Sequence, residues 1–128
     1  MRARRLAFAV VAASLLATAA PLSAHHAWRV DRSRLVTIKG SVTSFAFSNP
    51  HVHVYFDVKD ANGSVEKWSA GGASPNRLSR SGWTRDTLKP GDEISVNGYP
   101  ARDGSYVLRF ESVALAADGQ PIGGYRSR

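Results

Sequence analysis

The segment HVHVYFDVKD, residues 51–60, alternates polar and apolar side chains as a half-buried β-strand does. Asn62-Gly63 follows it, and this pair readily adopts the left-handed backbone of a tight hairpin turn. The chain then returns through VEKWSA, residues 65–70. The alternation places on one face Val52, Val54, Phe56 and Val58, and on the other His51, His53, Tyr55 and Asp57. The pattern therefore predicts an antiparallel sheet with one face in a core.

Three more strands are predicted around this hairpin. LVTIKGSVTSFAF, residues 35–47, changes the phase of its alternation at Gly40-Ser41, which predicts a bulge or sharp bend in a long strand. EISVNGY, residues 93–99, and YVLRFESVAL, residues 106–115, each follow a Gly-containing turn.

One short helix is predicted between the third and fourth strands. Ser74 suits the helix N-cap, Pro75 the first helical position and Gly82 the C-terminal cap.

This order of elements is that of the OB-fold. We predict an all-β domain with one short helix, an OB-fold-like five-stranded small barrel in the order β-β-β-α-β-β, over residues 35–116. A generic five-stranded roll with the same elements is the alternative. Residues 25–34 are polar without periodicity and are predicted to be an N-terminal arm, and the Gly-rich residues 117–128 a flexible C-terminal tail.

Residues 1–24 have the three parts of a secretory signal peptide. Arg2, Arg4 and Arg5 form its positive region, residues 6–20 its apolar region, and Ala24 is the small residue at the cut. The apolar run is shorter than the roughly 20 residues of a membrane-spanning helix. We predict Sec-type export with cleavage after Ala24, a periplasmic or secreted location, and no transmembrane anchor after cleavage.

Composition excludes several classes of site. The chain has no cysteine, which excludes disulfides, thiolate metal sites and cysteine nucleophiles. Three of the 17 Lys and Arg residues leave with the signal, so 14 remain against 10 acidic residues, a net charge of +4. Charges of both signs are interspersed, and we expect no nucleic-acid partner. Nucleophile-elbow, phosphate-loop and zinc-protease motifs are absent, and we expect no enzymatic activity.

Four segments together resemble a family of small exported bacterial proteins, the domain of unknown function 6152: AHHAW, VTIKGSVTSFAFSNPHVHVYFDV, GGASPNRLSRSGWTRDTLKPGDEISVNGYPARDGS and VALAADGQPI. The resemblance covers essentially the whole processed chain. Its most specific parts are NPH, residues 49–51, and SPNRLSRSGWTRDTLKPGDE, residues 74–93. It implies export and a small barrel-like domain, and it implies no activity. Ala27-Trp28 departs from the pattern, where a small polar residue and an aromatic such as Phe are expected.

The 4 histidines occur as two pairs, His25-His26 and His51-x-His53. Cleavage after Ala24 makes His25 the first residue, and its α-amine and imidazole suit copper(II), or zinc less tightly. His51 and His53 share a strand face about 7 Å apart, a spacing compatible with two ligands of one ion. The plainer interpretation is that they are solvated histidines on a polar strand face.

The segment SPNRLSRSGWTRD holds a second set of candidates around the predicted helix. Arginine forks and the N–H groups at a helix start can hold an anionic ligand. The alternative is a helix that closes the barrel, with the tryptophan in the core and the arginines in solvent. The candidate ligand-binding residues are Asn76, Arg77, Arg80, Trp83 and Arg85.

Tyr55 and Trp68 lie on the two strands of the central hairpin. With Tyr99 and Tyr106 they can form a stacking surface of the kind that ligand-binding OB-folds use. A cross-strand pair that stabilises the sheet is the alternative.

Two functions remain open at this point. The first is a non-catalytic exported binding module that takes an unknown small molecule, glycan or periplasmic protein on the face with His51, His53 and Tyr55. The second is a periplasmic copper or zinc binding protein whose ligands are His25, His26, His51 and His53.

Overall fold

The computed structural model describes residues 29–127. These residues contain one five-residue helix, placed between the third and fourth strands, and a 3₁₀ turn after the last strand. The strands close into a barrel in the order first, second, third, fifth, fourth. The elements are β1 (Val36–Ala46), β2 (His53–Lys59), β3 (Val65–Gly71), α1 (Pro75–Ser79), β4 (Glu93–Pro100), β5 (Val107–Leu115) and the 3₁₀ turn Ile122–Gly124. The predicted barrel order β-β-β-α-β-β is confirmed.

Strand β1 bends where the sequence predicts, and the bend lets it pair with two neighbours. Residues 36–41 pair with β4, and residues 41–46 pair with β2, so Ser41 is shared by both. A Cβ atom on Gly40 would lie 2.3 Å from the Asp57 carbonyl oxygen, so glycine is what allows β2 to approach here. The register shift itself lies slightly later, between Val42 and Ser44.

The central hairpin has the predicted strands and turn. The pairing of β2 with β3 runs from His53 opposite Gly71 to Lys59 opposite Val65. Gly63 in the turn has a φ of 79°, the left-handed conformation expected for an Asn-Gly turn.

Trp83 lies at the centre of an aromatic cluster that fills one end of the barrel. Only 1% of its surface is exposed. Its ring stacks on Phe110 with centroids 6.0 Å apart, and Tyr125 packs edge-on at 6.4 Å. The Trp83 Nε1–H donates a hydrogen bond to the Ile122 carbonyl oxygen at 3.0 Å. The tryptophan is therefore a core residue with its polar atom satisfied.

The helix α1 has the predicted caps at both ends. The Ser74 hydroxyl accepts a hydrogen bond from the Arg77 N–H at 3.3 Å, and Pro75 occupies the first helical position. The helix ends at Ser79, and Gly82, with a φ of 84°, lies in the turn that follows. The Gly82 N–H donates to the Ser79 carbonyl oxygen at 3.0 Å, and the Trp83 N–H donates to the Leu78 carbonyl oxygen at 3.2 Å. With the left-handed backbone of Gly82, these two bonds form the Schellman pattern that ends a helix, so the predicted C-terminal capping role of Gly82 is confirmed.

Residues 121–127 pack against the barrel after an exposed stretch at 117–120, so the predicted loose tail is corrected over this part. Tyr125 is 6% exposed and belongs to the core, and Pro121 forms a β-bridge with Ala114. The Ser127 N–H donates to the Glu111 carbonyl oxygen at 2.8 Å. The Gly-rich, polar composition concealed this contact, because one buried aromatic has no periodicity to reveal it.

The described part of the predicted N-terminal arm also packs on the barrel. Val30 is buried and forms a β-bridge with Ala101. The Arg102 Nε–H donates to the Val30 carbonyl oxygen at 3.1 Å, and the Asp31 N–H donates to the Pro100 carbonyl oxygen at 2.8 Å. The predicted signal peptide and residues 25–28 lie outside the described residues.

Candidate functional site

Strands β2, β3 and β5 present a continuous outer surface. Alternate residues of these strands, such as Val54, Ala70 and Leu108, are fully buried in the barrel, so the residues between them point outward. We call this outer surface the β2–β3–β5 face. It consists of His53, Tyr55, Ser69, Gly71, Val107 and Arg109.

The pairing register arranges this face in two rows across the three strands. His53 lies opposite Gly71, and Gly71 lies opposite Arg109. In the neighbouring row, Tyr55 lies opposite Ser69, which lies opposite Val107. The middle strand thus contributes only a hydroxymethyl group and a glycine.

The middle strand carries only small side chains, so the face is lower over Ser69 and Gly71 than on either side, and we call this low strip the trough; Gly71 at one end of it is itself buried. Strands β2 and β5 lie about 10 Å apart across β3, since neighbouring strands are separated by about 4.8 Å. Larger side chains rise on both sides of Ser69 and Gly71, with His53 and Tyr55 on one side and Arg109 on the other. This spacing is suited to a ring-sized ligand lying on the sheet.

The wall on β2 is a stacked pair of rings. The ring centroids of His53 and Tyr55 are 6.1 Å apart with an interplanar angle of 17°. His53 Nδ1 lies 3.0 Å from the His51 carbonyl oxygen, which accepts a hydrogen bond in the tautomer that carries its proton on Nδ1. Tyr55 is 41% exposed, a large aromatic surface in contact with water.

Trp68 does not join Tyr55 in a stacking surface, because the two residues lie on opposite faces of the hairpin. The register places Trp68 opposite Phe56, whose side chain is in the core, and the two rings stack at 6.4 Å. The Trp68 ring also packs on the Tyr106 ring, with centroids 5.2 Å apart. The buried Nε1 of Trp68 has no hydrogen-bond partner among the described residues.

Tyr106 lies at the edge of this second aromatic group and is 47% exposed. A hydrogen bond from its hydroxyl to the Glu66 carboxylate, together with the charge of that carboxylate, raises the pKa of the Tyr106 phenol above its ordinary value. Because its ring packs on Trp68, Tyr106 belongs to the Trp68 group and lies apart from the β2–β3–β5 face.

Two of the four predicted metal ligands, His51 and His53, lie within the described residues. His51 is exposed just before β2, and His53 is the first residue of the strand. His25 and His26 lie outside the described residues. Within residues 29–127, no three His, Asp or Glu side chains are grouped so as to hold an ion.

The residues of the SPNRLSRSGWTRD segment separate into three places. Asn76, Arg77 and Arg80 are exposed on or beside α1, whereas Trp83 is buried and offers no surface to a ligand. Arg85 lines a different cleft, of about 330 Å³, together with Phe45 and Phe47. The alternative of a helix that closes the barrel over a core tryptophan is the one the structure matches.

Sequence reasoning missed two features of the surface. Arg126 joins Arg77 and Arg80 in a cleft of about 300 Å³, although it lies far from them in the chain. A second cleft, of about 460 Å³, lies at the bend of β1 between Lys39, Lys59 and Glu93. No local pattern reveals either one, because each is assembled from segments that only the barrel brings together.

The acidic side chains of the cleft at the β1 bend are both engaged. The Ser41 hydroxyl donates a hydrogen bond to the Glu93 carboxylate, and Lys67 forms an ion pair with Asp57 at 3.5 Å. Asp57 is therefore held by a lysine on the neighbouring strand.

Within residues 29–127, no helix has the length and apolar character needed to cross a membrane.

The barrel is similar in shape to OB-fold proteins of known structure. The mitochondrial single-stranded DNA binding protein Rim1 from S. cerevisiae is 10% identical, covers 65% of this chain and 93% of its own, and has a TM-score of 0.50. A small single-stranded DNA-binding protein from Streptomyces coelicolor is 18% identical, covers 67% and 97%, and has a TM-score of 0.45. At this identity the likeness shows the OB-fold alone.

No curated protein matches the chain. A family model does match, over residues 11–108, which is most of the sequence. That span includes β1 to β4 and both motifs, NPH and SPNRLSRSGWTRDTLKPGDE, on which the resemblance rested. The chain belongs to the family of unknown function DUF6152.

Proposed function

We propose that this protein is an exported, non-catalytic binding module that takes a glycan on the β2–β3–β5 face. The observation that supports it is the trough over Ser69 and Gly71, with stacked rings on one side and a guanidinium on the other. Export is proposed from the signal-peptide pattern of residues 1–24.

The chemistry of the trough suits a sugar ring. The exposed ring of Tyr55 offers a flat apolar surface for the aliphatic face of a pyranose. Arg109 and the Ser69 hydroxyl offer hydrogen-bond donors to sugar hydroxyls across the same trough. Stacking and polar contacts from opposite sides hold a ring in one orientation.

The proposal is tested by titrating the ¹⁵N-labelled processed chain with chitotetraose and following amide shifts. We expect the largest shifts at His53, Tyr55, Ser69 and Arg109. Replacing Tyr55→Ala removes the stacking surface and weakens binding about fivefold or more, equivalent to about 1 kcal/mol of aromatic contact.

The matched control is Tyr106→Ala, which removes an equally exposed tyrosine outside the trough. It leaves chitotetraose affinity unchanged. Shifts confined to other surfaces, or equal losses in the two variants, contradict a glycan site on this face. Export is checked separately by the intact mass of the periplasmic protein, which must begin at His25.

A second candidate function, copper or zinc binding, is favoured by one contact. His53 Nδ1 lies within hydrogen-bond distance of the His51 carbonyl oxygen, at 3.0 Å, and histidine metal ligands commonly have one ring nitrogen bonded to a carbonyl in this way while the other binds the ion. The remaining ligands of this proposal are His25 and His26, with the α-amine that signal cleavage creates.

Copper(II) titration of the processed protein tests this second candidate. We expect stoichiometric binding that is weakened about tenfold or more by His53→Ala and by one extra glycine before His25, since each change removes one ligand. The control is Tyr55→Ala, which retains all four histidines. Affinity no tighter than that of an unstructured His-His peptide rules the metal site out.

A further inference from the structure

Three arginines line one cleft at the end of the barrel that α1 closes. Arg77 and Arg80 come from α1 and its C-terminal cap, and Arg126 comes from the C-terminal segment. The cleft has a volume of about 300 Å³. This is the volume of about ten water molecules in the liquid, which is room for a phosphate group and part of the molecule that carries it.

The C-terminal segment holds Arg126 in this cleft through its neighbours. Tyr125 is buried beside Trp83 and Phe110, and the Ser127 N–H donates to the backbone of β5. Gly123 lies so close to Ser81 that a Cβ atom there would collide with the Ser81 carbonyl oxygen. The backbone that carries Arg126 is therefore fixed beside the cleft by packing and does not depend on any attraction to the other two arginines.

Among residues 29–127, no carboxylate forms an ion pair with any of these three arginines. Among the described residues, the one ion pair within 4.0 Å joins Lys67 to Asp57 elsewhere on the barrel. Like charges around one cleft repel each other, and an anion placed between them relieves that repulsion. The arrangement is thus most stable with an anion present.

Guanidinium groups favour phosphate for a geometric reason. Each presents a planar fork that binds two oxygens, and a tetrahedral phosphate has oxygens enough to engage several forks at once. A carboxylate has only two oxygens, which one or two forks already occupy. We propose that the Arg77–Arg80–Arg126 cleft binds an anionic phosphate group, either free or on a lipid headgroup.

The experiment compares two variants of the processed chain that lose the same charge. The cleft variant is R77Q/R80Q/R126Q, and the control is R32Q/R34Q/R85Q, whose arginines are exposed outside the cleft. One arm titrates each protein with inorganic phosphate at fixed ionic strength and follows amide shifts at Ser81 and Gly124. The other arm measures co-sedimentation with phosphatidylglycerol vesicles against phosphatidylcholine vesicles.

The wild type and the control are expected to bind, and the cleft variant to lose about tenfold or more in affinity. Loss in the phosphate arm alone identifies a free anion as the ligand, whereas loss in the vesicle arm identifies a lipid phosphate. No binding by the wild type in either arm, or equal losses in the two triple variants, overturns the proposal. Near-UV circular dichroism verifies that the variants fold, and Arg126→Gln alone must give a partial loss in the same arm.

Discussion

Gly72 lies directly under the ring of Phe110, with no room for a side chain. A Cβ atom there would be 2.0 Å from the ring Cζ and 2.4 Å from both Cε atoms. The Gly72 N–H donates to the Val52 carbonyl oxygen at 3.0 Å, which fixes the backbone, and the ring itself stacks on Trp83. Neither partner of the contact can move without opening the core.

Gly72→Ala is therefore expected to lower the free energy of unfolding by about 3 kcal/mol, measured by urea denaturation. Gly104→Ala is the control. Nothing lies near its position, so it loses only about 1 kcal/mol from its left-handed backbone. Adding Phe110→Leu makes room and should recover part of the loss at Gly72, with a coupling of about 1 kcal/mol. Equal losses for the two glycine variants disprove the steric explanation.

At the same scale, the sequence could assign residues to faces but could not align two strands. Alternation placed Val54 and Phe56 inward because it depends only on neighbours in the chain. Whether Tyr55 meets Trp68 or Ser69 depends on the turn geometry, and a shift of one residue exchanges the faces. The sequence therefore left open a contact between Tyr55 and Trp68 that the register excludes.

The C-terminal segment is the element that completes the core. Tyr125 closes the aromatic cluster edge-on to both Trp83 and Phe110. The backbone of the same segment accepts the Trp83 indole hydrogen bond at Ile122. The segment that sequence composition assigned to a tail thus accepts the hydrogen bond of the Trp83 indole and covers its ring, the largest buried side chain of the described residues.

Tyr125→Ala is expected to lower the free energy of unfolding by about 3 kcal/mol, because it removes a buried ring from the cluster. Chemical denaturation followed by tryptophan fluorescence measures this loss, and the native emission should shift to the red as water reaches Trp83. The neighbouring exposed residue provides the control, Arg126→Ala, which changes stability by no more than about 0.5 kcal/mol. A similarly small effect of Tyr125→Ala would show that the segment is not part of the core.

At the scale of the whole molecule, the limits of sequence reasoning follow from the closure of the barrel. Strand number, the bend at Gly40-Ser41 and the order of elements depend on local patterns, and the structure has all three. Which distant segments meet depends on how the barrel closes, and local patterns do not show this. The sequence therefore grouped Arg85 with Arg77, although the two line different clefts, and it gave no sign that Arg126 lies beside Arg77.

The closure itself has one weak seam, between β3 and β5. These strands are parallel and share three residue pairs, from Ser69 opposite Val107 to Gly71 opposite Arg109. The antiparallel β2–β3 and β4–β5 pairings have seven pairs each. Fewer pairs in a slightly weaker geometry make this seam the first to open.

Amide hydrogen exchange measures that opening. The Ser69 N–H donates to the Tyr106 carbonyl oxygen across the seam at 3.0 Å, and the Val42 N–H donates to Asp92 at 2.8 Å on the opposite side of the barrel. We expect protection at Ser69 to be about tenfold lower than at Val42, a difference of about 1.4 kcal/mol in opening free energy. Equal protection at the two amides would show that the barrel opens only as a unit.

Because Ser69 and Arg109 are also the floor and wall of the trough, a ligand that bridges β2 to β5 must hold the seam closed. Saturating chitotetraose should therefore raise the hydrogen-exchange protection of the Ser69 amide and leave that of the Val42 amide unchanged. This result would show that the proposed ligand stabilises the β3–β5 pairing.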